Sequence, residues 1–433
     1  MKGDWVQSCK KCALCETRKN VVWGEGNKRA KMVFVGEAPG GDEDRQGRPF
    51  VGRAGKVLDD LLEKAGIDRR DVYITNVVKC RPPGNRKPTE EEMEKCMPYL
   101  REELDEINPG LIVLLGSTAT AALLPGAGVM RNHGKLLGKF FVSYHPSMAF
   151  HGSLGEMESD FKKIGMIHKA LKAEKKLFLL DYDGTLVPIV KNPDDAVMNK
   201  RTKEILLNLK QQWKNVVAIV TGRTLERIRK FVDVDLIFLA NHGFEFYGFD
   251  LPHEKRFENY RKMSSELCER FREISEVKGA IIEDKGYGIA LHYRNADETK
   301  FFESFNKLME KVDLGEMVIQ FGKKVVEFRP KEEWDKGKAS LYLADHFSDY
   351  LPVYIGDDTT DESAFIELKN RGITICVGKK ETNAEYSFDN VGEVLDFLDL
   401  FVETKPKKGE NRKRETDNRK RERERKRRIE DWG

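Results

Sequence analysis

Four of the seven cysteines stand early in the chain at a spacing that suits a metal centre. Cys9 and Cys12 form a C-x2-C pair, and Cys80 and Cys96 follow as a second, more widely spaced pair. A C-x2-C pair supplies two thiolate ligands from one turn, and both iron–sulphur clusters and structural zinc ions can be held by four thiolates. The spacing leaves three interpretations open: a cluster, a zinc site, or ordinary buried cysteines. Cys15 is an additional thiol.

A second set of candidate residues lies at the ends of apolar stretches and in nearby loops. A carboxylate stands in Gly36–Gly40 (GEAPG), an aromatic ring in the glycine-flanked loop Gly47–Gly52, and an imidazole in Tyr144–Ser147 (YHPS). Open α/β sheets bind ligands at the carboxyl ends of their strands, so we expect these side chains to lie together. The candidates are Glu37, Ala38, Phe50, Asn76, Asn85 and His145.

A third set begins with two acids, Asp181 and Asp183, in the order D-x-D-G-T after an apolar strand. A carboxylate nucleophile needs a metal ion to screen its charge from phosphate, and an acid two residues later can protonate the leaving oxygen. Magnesium prefers carboxylates, phosphate and water as ligands. Further parts follow in order: Thr221 and Arg223 in VTGR, Lys336, and the acids Asp357, Asp358 and Asp361.

These parts predict a phosphate site. Thr221 would bond a phosphoryl oxygen, Arg223 would bind substrate, and Lys336 would neutralise phosphate charge. The predicted Mg²⁺ ligands are Asp181, Asp183, Asp357, Asp358 and Asp361.

The elements that must position the first two sets alternate between strands and helices. Strands are predicted at Met32–Gly36, Val72–Val78, Leu111–Gly116 and Lys139–Pro146, with helices near Gly55–Ala65, Glu90–Ile107 and Glu156–Lys172. This alternation predicts an α/β domain with a mainly parallel sheet.

A second strand–helix series begins almost without a linker, at Leu177–Thr185, and continues with Val216–Arg223 and Val353–Asp358. From about 245 to 330 the pattern changes to amphipathic helices and short strands, which indicates an inserted cap. We therefore predict domains at 1–172 and 173–402 and a charged tail at 403–433. The tail is expected to be disordered or a solvated helix.

Length and composition indicate a protein of more than one domain without a membrane-spanning segment. The chain has 433 residues, too many for one core, and no apolar run near the roughly 18–20 residues that a membrane span needs. The first residues hold no apolar segment typical of a secretory signal, so a cytoplasmic protein without membrane contact is expected. The formal net charge is +3, but Lys405–Arg428 alone holds 14 basic and 5 acidic residues.

Long runs in the first part resemble family-4 uracil-DNA glycosylases over about residues 5–170. They are VVWGEGN, VFVGEAPGGDEDRQGRPFVGRAG, VYITNVVKCRPPGNRKP and YHPS. The resemblance implies uracil-containing DNA as the substrate and a 4Fe–4S cluster instead of zinc. Its implied ligands are Cys9, Cys12, Cys80 and Cys96, which leaves Cys15 outside the set.

The candidate residues suit that chemistry. A flipped uracil could stack on Phe50, and Asn76 could pair with its O4 and N3–H edge. His145 could donate to O2, where negative charge grows as the N-glycosidic bond breaks. Glu37 could stabilise the sugar cation or orient the attacking water, and Asn85 is the other candidate for positioning that water. After YHPS the chain departs from the family, so DNA contacts could be supplied by Arg131, Lys135 and the basic tail.

The second part resembles haloacid-dehalogenase-type phosphatases, and within them trehalose-6-phosphate phosphatases over about residues 175–400. The supporting runs are DYDGTL, TGR, NHG-x-E, KGYGIALHYR, KKVVEFRP and GDDTTDESAF. The fold implied for the chain is a glycosylase-like parallel-sheet domain followed by a Rossmann-like core with an inserted α/β cap. The sugar contacts implied for the cap are Lys285, His292, Arg294, Lys323 and Glu327.

Two alternatives stay open for the second part. Related caps bind mannosyl- or glucosyl-phosphoglycerate, so the sugar phosphate could differ from trehalose 6-phosphate. A DNA-repair role, in which the phosphatase trims phosphorylated DNA ends, is a hypothesis that the fusion itself suggests.

Overall fold

The structure is a computed structural model that describes residues 9–249, 254–310, 312–322, 324–331, 334–378 and 381–402. The predictions for the tail at 403–433 and for Lys323 lie outside these residues. Within the described residues, no helix combines the length and the apolar character that crossing a membrane requires.

The first part of the chain forms a six-stranded sheet in the order β1-β3-β2-β4-β6-β5. The strands are β1 (Glu25–Gly26), β2 (Met32–Gly36), β3 (Tyr73–Asn76), β4 (Leu111–Leu115), β5 (Lys135–Leu137) and β6 (Phe140–Ser143). The four central strands run parallel, and β1 and β5 pair antiparallel at the two edges. The predicted α/β fold with a mainly parallel sheet is confirmed.

Every residue of β2 and β4 is buried, as expected for parallel strands that helices cover on both faces. The helices are α1 (Leu14–Thr17), α2 (Gly41–Gln46), α3 (Arg53–Lys64), α4 (Glu90–Ile107), α5 (Ser117–Leu123), α6 (Val129–Asn132) and α7 (Leu154–Lys172). Helix α4 has the predicted bounds because Thr89 and Glu92 form a reciprocal capping box at its start.

The second part contains a seven-stranded sheet in the order β10-β9-β8-β7-β15-β16-β17, parallel except for β10. In chain order the strands are β7 (Lys176–Leu180), β8 (Asn215–Val220), β9 (Ile237–Ala240), β10 (Glu245–Tyr247), β11 (Ile281–Asp284), β12 (Ile289–His292), β13 (Met317–Gly322), β14 (Val325–Pro330), β15 (Leu351–Gly356), β16 (Ile373–Val377) and β17 (Tyr386–Phe388). The helices are α8 (Lys200–Gln211), α9 (Leu225–Phe231), α10 (Glu254–Arg270), α11 (Glu298–Met309), α12 (Lys336–His346), α13 (Glu362–Leu368) and α14 (Val391–Asp399).

The cap is a separate antiparallel sheet, β11-β12-β14-β13, whose core includes aromatic residues from helices α10 and α11. Rings of Phe301 and Phe305 lie 6.1 Å apart, and Phe271 contacts Phe328 of β14 at 4.9 Å between centroids. Strand β10 falls inside the range predicted for the cap but pairs with β9 of the larger sheet.

Helix α14 of the second part closes an edge of the first sheet. Strand β5 pairs with β6 along one side, and on its other side the backbone N–H groups of Leu136 and Gly138 donate to the carboxylates of Glu393 (3.1 Å) and Asp396 (2.9 Å). Carboxylates thus replace the ladder partners that an edge strand lacks. Burial raises the pKa of Glu393, whose carboxylate also accepts the N–H of Asp389.

Candidate active sites

The first candidate site is a cavity of about 590 Å³ at the carboxyl ends of β2, β3 and β6. The structure brings together there all six side chains that the sequence singled out. They are Glu37, Ala38, Phe50, Asn76, Asn85 and His145.

The ring of Phe50 is held in the cavity by a buried carboxylate that the sequence analysis missed. Glu43 accepts the backbone N–H groups of Val51 (2.9 Å) and Gly52 (2.7 Å) through Oε1, and that of Gly40 (3.1 Å) through Oε2. Phe50 adopts a φ of 51°, a left-handed conformation that a non-glycine residue rarely takes without such support. The loop is therefore a fixed platform for a planar ligand.

His145 is arranged as a neutral hydrogen-bond donor. Burial lowers its pKa, against the opposing charges of Glu37 and Glu43. The backbone N–H of Ser147 donates to Nδ1 at 3.2 Å, so the neutral imidazole keeps its proton on Nε2. The imidazole lies 5.9 Å from the Phe50 ring, between centroids.

Asn76 is buried at the end of β3, and its side-chain oxygen Oδ1 has no hydrogen-bond partner within the described part of the chain. Gly36 makes this arrangement possible, because a Cβ there would lie 2.5 Å from both Oδ1 of Asn76 and Cζ of Phe50. A buried amide oxygen without a partner is costly, so a ligand with a matching N–H would be favoured.

Glu37 and Asn85 occupy different environments in the same cavity. Glu37 is half-buried and accepts a hydrogen bond from the hydroxyl of Thr118, a buried residue near the start of α5. Asn85 is exposed, and its Oδ1 already accepts from Nε of Arg81 at 2.8 Å. Thr118 was not anticipated from the sequence, where nothing distinguishes it from other threonines.

The four cysteines surround a separate cavity that Arg18 and Tyr99 also line, whereas Cys15 does not. All four are described, and no three of their sulphur atoms lie within 4.8 Å of one another. A single zinc ion, with Zn–S near 2.3 Å, would need sulphur atoms roughly 3.8 Å apart. No three of these thiols are therefore preformed around a single zinc ion.

Hydrogen bonds to three of these sulphurs also suit a cluster. The guanidinium of Arg18 donates to Sγ of Cys80 (3.5 Å), the Tyr99 hydroxyl to Cys9 (3.4 Å), and the backbone N–H of Lys79 to Cys96 (3.2 Å). Donors to the ligating sulphurs are a usual part of iron–sulphur sites. The cysteine centre thus has four thiols and three hydrogen-bond donors that suit the group that the sequence implied.

Of the basic residues considered for DNA contact, Arg131 is exposed in α6, beside the cavity-lining Met130. Lys135 instead lies 3.3 Å from Asp389 of the second part. Arg53, which the sequence analysis did not single out, lines the cavity and lies over the ring of the exposed Phe150 at 4.6 Å.

The second candidate site lies at the carboxyl ends of β7, β8 and β15. Nζ of Lys336 is 2.8 Å from Oδ1 of both Asp181 and Asp361, and all three side chains are buried. Carboxylate oxygens of Asp181, Asp357 and Asp361 lie within 4.8 Å of one another. Burial of Lys336 disfavours its charge, but the charges of Asp181 and Asp361 raise the pKa of its ammonium above the usual range and keep the bridge ionised. Three carboxylates facing one ammonium leave a negative site that fits a divalent cation.

The structure does not bring the carboxylates of Asp183 and Asp358 into this group. Asp183 forms a two-bond ion pair with Arg223, at 2.6 Å to Nε and 2.7 Å to Nη2. Asp358 accepts the backbone N–H of Thr359 at 2.5 Å and begins the turn that follows β15. Arg223 thus contacts Asp183, and its role in binding substrate stays a prediction.

Thr221 is buried at the end of β8, and its hydroxyl accepts the backbone N–H of Arg223 at 3.2 Å. It therefore lies in the same turn that positions the Arg223–Asp183 pair.

The cap residues form two exposed polar pairs. Nζ of Lys285 lies 2.7 Å from Oε1 of Glu327, and Nε2 of His292 lies 2.8 Å from Oε2 of Glu283. Arg294 is exposed just beyond β12.

Asn241 ties the cap to the larger domain, since its Nδ2 donates to the Lys285 carbonyl at 2.7 Å. The adjacent His242 has its pKa lowered by burial and by the charges of Lys336 and Lys285. The charges that act on this imidazole thus come both from the cap, through Lys285, and from the second candidate site, through Lys336.

Comparison with known proteins assigns the two parts to separate families. The model of the uracil DNA glycosylase superfamily matches residues 23–165, and the trehalose-phosphatase model matches residues 179–392. The type-4 uracil-DNA glycosylase of Archaeoglobus fulgidus is 46% identical over 192 residues, which cover 41% of this chain and 94% of that protein. Trehalose-phosphate phosphatase B of Arabidopsis thaliana is 35% identical over 264 residues, covering 56% of this chain and 70% of that protein.

Among solved structures, trehalose-6-phosphate phosphatase of Aspergillus fumigatus matches with a TM-score of 0.43 and 26% identity. The match covers 54% of this chain and 95% of that one.

Proposed function

The chain belongs to the type-4 uracil-DNA glycosylases through its first part and to the trehalose-phosphate phosphatases through its second, and we propose that it performs both reactions. It would excise uracil from DNA by hydrolysis of the N-glycosidic bond. It would also remove phosphate from trehalose 6-phosphate. The resemblance to both families expected from the sequence is confirmed.

The buried Oδ1 of Asn76 is the observation that favours uracil. Uracil offers an N3–H donor that would satisfy this oxygen, and its O4 could accept from the amide nitrogen. Cytosine has the opposite arrangement, with an acceptor at N3 and a donor at N4, and would leave the buried oxygen facing an acceptor. Flipping the nucleotide out of the duplex would place the base against the Phe50 ring.

Bond cleavage would place negative charge on the departing base. The Nε2–H of neutral His145 would donate to O2 as that charge grows, and no proton needs to be transferred for this stabilisation. Between the two candidates for directing water, Glu37 is favoured, because it is half-buried whereas Asn85 is exposed. The amide oxygen of Asn85 is engaged by Arg81.

Cys9, Cys12, Cys80 and Cys96 would hold a 4Fe–4S cluster that crosslinks three separate segments of the chain. The donors on Arg18, Tyr99 and Lys79 would stabilise the ligating sulphurs.

Substituting Asn76 tests whether its amide recognises uracil. Asn76→Leu keeps the shape of the side chain but removes both hydrogen bonds, so uracil excision should fall by about 10²-fold, as two lost bonds imply. Asn208→Leu is the matched control and should leave excision unchanged, because this half-buried amide on α8 donates only to the Glu204 carbonyl of the second part. Cleavage of a labelled uracil-containing oligonucleotide measures both. Equal rates for Asn76→Leu and wild type would contradict the assignment.

In the phosphatase part, we propose that Asp181 attacks phosphorus and forms an aspartyl-phosphate. Lys336 would neutralise phosphoryl charge, Thr221 would bond a phosphoryl oxygen, and Asp183 would protonate the leaving sugar oxygen. Mg²⁺, held by Asp181, Asp357 and Asp361, would screen the nucleophile from the charge of the phosphate.

The polar pairs of the cap favour a sugar over DNA. Lys285–Glu327 and His292–Glu283 present donors and acceptors side by side, as recognition of several hydroxyls requires. Two of the four side chains are carboxylates, which would repel the phosphate backbone of DNA.

A substrate panel tests this proposal with the full chain. Phosphate release should be fastest from trehalose 6-phosphate, slower from glucosyl- and mannosyl-phosphoglycerate, and absent from a 3′-phosphorylated oligonucleotide. Asp181→Asn should abolish all release, which serves as the control for contaminating phosphatases. Preferred turnover of the oligonucleotide would instead support a role in processing DNA ends.

A further inference from the structure

A fully buried lysine lies between the two centres of the glycosylase part, and the mechanism above does not use it. Lys79 is 1% exposed. Its ammonium donates to the hydroxyl of Thr75 (2.7 Å), the backbone carbonyl of Asn76 (2.8 Å) and Oε2 of Glu103 (2.5 Å). All three of its donors are therefore engaged.

Its partner is equally well satisfied. Besides Lys79, the buried carboxylate of Glu103 on α4 accepts from the backbone N–H of Gly24 (2.8 Å) and the hydroxyls of Tyr73 (3.1 Å) and Thr75 (2.7 Å). A buried ion pair seldom adds net stability, because desolvation offsets its attraction, so a role in fixing one local geometry is the hypothesis to test here.

That geometry links the uracil pocket to the cysteine centre. The segment Asn76–Cys80 has the base-reading amide at one end and a proposed cluster ligand at the other. The backbone N–H of Lys79 donates to Sγ of Cys96, while its side chain turns back to the carbonyl of Asn76. One residue therefore contacts both centres.

We propose that Lys79 is a positioning residue that fixes the Asn76 peptide for uracil and sets it relative to the cysteine centre. The inference rests on the proposed glycosylase activity. Past the β2–β3 ladder, the N–H of Val77 bonds to Gly36. The carbonyl on the other side of the same peptide is held by the Lys79 ammonium. Without that donor the carbonyl would be buried and unsatisfied, and the peptide would rotate to find a partner. A base-reading side chain tolerates displacement of only about 0.5 Å.

Two variants test the proposal. Lys79→Met removes the ammonium at similar length, and Lys79→Met/Glu103→Leu also removes the carboxylate that would otherwise be left unpaired. Lys28→Met is the matched control, because Lys28 forms an exposed ion pair, at 2.6 Å, with Glu106. Glu106 lies on α4, the helix that also carries Glu103. Each protein is measured for iron per chain, for the Kd of free uracil, and for kcat and KM on uracil-containing DNA.

The double variant should keep the iron content of the wild type. Its Kd for uracil should rise about tenfold and its kcat fall at least as much, with KM for DNA little changed, because one fixed hydrogen bond is lost at the base-reading residue. Should Lys79→Met fail to fold, the double variant decides the question.

A double variant with full iron and the uracil Kd of the wild type would overturn the proposal. Loss of iron from the double variant would also contradict it, because the lysine would then be holding the cysteine loop and not Asn76. Absence of uracil excision by the wild type would refute the proposed function itself, which separates the two failures.

Discussion

Two ion pairs in the phosphatase site hold neighbouring acids in different ways. Lys336 bridges Asp181 and Asp361, so the proposed nucleophile already sits beside a positive charge that phosphate would share. Arg223 pairs with Asp183 and packs on the rings of Tyr182 and Phe231, at 5.5 and 4.8 Å from their centroids. The guanidinium is thus fixed in place and orients the proposed general acid.

Replacing Arg223 separates this orienting role from the substrate contact that the sequence predicted. Arg223→Gln should lower kcat for trehalose 6-phosphate about tenfold or more, because Asp183 loses both bonds, while KM stays near the wild-type value. Arg227→Gln, which breaks an exposed pair with Asp194, is the control. A raised KM with unchanged kcat would show that Arg223 binds substrate after all.

At the residue scale, the sequence predicts which side chains lie together in the cavity but not the contacts that fix their positions. Strand-end motifs place Glu37, Asn76 and His145 in one cavity, because parallel strands end at one edge. The partners that set their geometry, Glu43 and Thr118 among them, depend on side-chain contacts across the fold. No local pattern distinguishes such residues before the structure is known.

At the scale of elements, strand β7 begins with a buried cation. Lys176 donates to the carbonyl of Ala173 at 2.7 Å and lies 5.4 Å from the ring centroid of Phe401. Burial, with a smaller contribution from Lys214 and Lys31, lowers its pKa from 10.5 to about 8. The unfolded chain therefore binds a proton more tightly here than the folded one, and the charged form destabilises the fold at neutral pH.

Lys176→Met should stabilise the protein at pH 7 by roughly 2–3 kcal/mol, because no buried charge remains. The advantage over wild type should shrink as pH rises from about 8 towards 10.5, where the lysine becomes neutral in both states. Thermal unfolding of both proteins at pH 7 and pH 10 measures the difference. Lys230→Met, at an exposed pair on α9, should change neither value. A difference that stays constant with pH would contradict the account.

Element types follow closely from sequence periodicity, whereas some boundaries do not. Helix α4 matches its prediction because a capping box marks its start. The strand predicted at Val72–Val78 is shorter, because β2, its partner, ends at Gly36; the N–H groups of Val77 and Val78 still bond to Gly36 and Glu37. Strand β10 belongs to the larger sheet and not to the cap, because it pairs antiparallel with β9.

At the scale of the whole molecule, the first and second parts of the chain are joined by packed side chains as well as by the backbone that connects them. Besides the contacts of α14 with β5, the side chains of Phe161 in α7 and Leu398 in α14 belong to one continuous buried cluster. The sequence predicted two domains but not this contact, since neither family motif extends to it. The two sites lie at the strand ends of different sheets, so we expect their reactions to be separable.

The most direct measurement assays one preparation of the full chain for both reactions, with wild type, His145→Ala and Asp181→Asn. Wild type should excise uracil and dephosphorylate trehalose 6-phosphate. His145→Ala should lose excision by about 10²-fold, as removal of one donor to developing charge does, and keep phosphatase turnover. Asp181→Asn should lose phosphatase turnover and keep excision, because only the nucleophile is removed. A wild type that lacks either reaction, or a single substitution that abolishes both, would contradict the account.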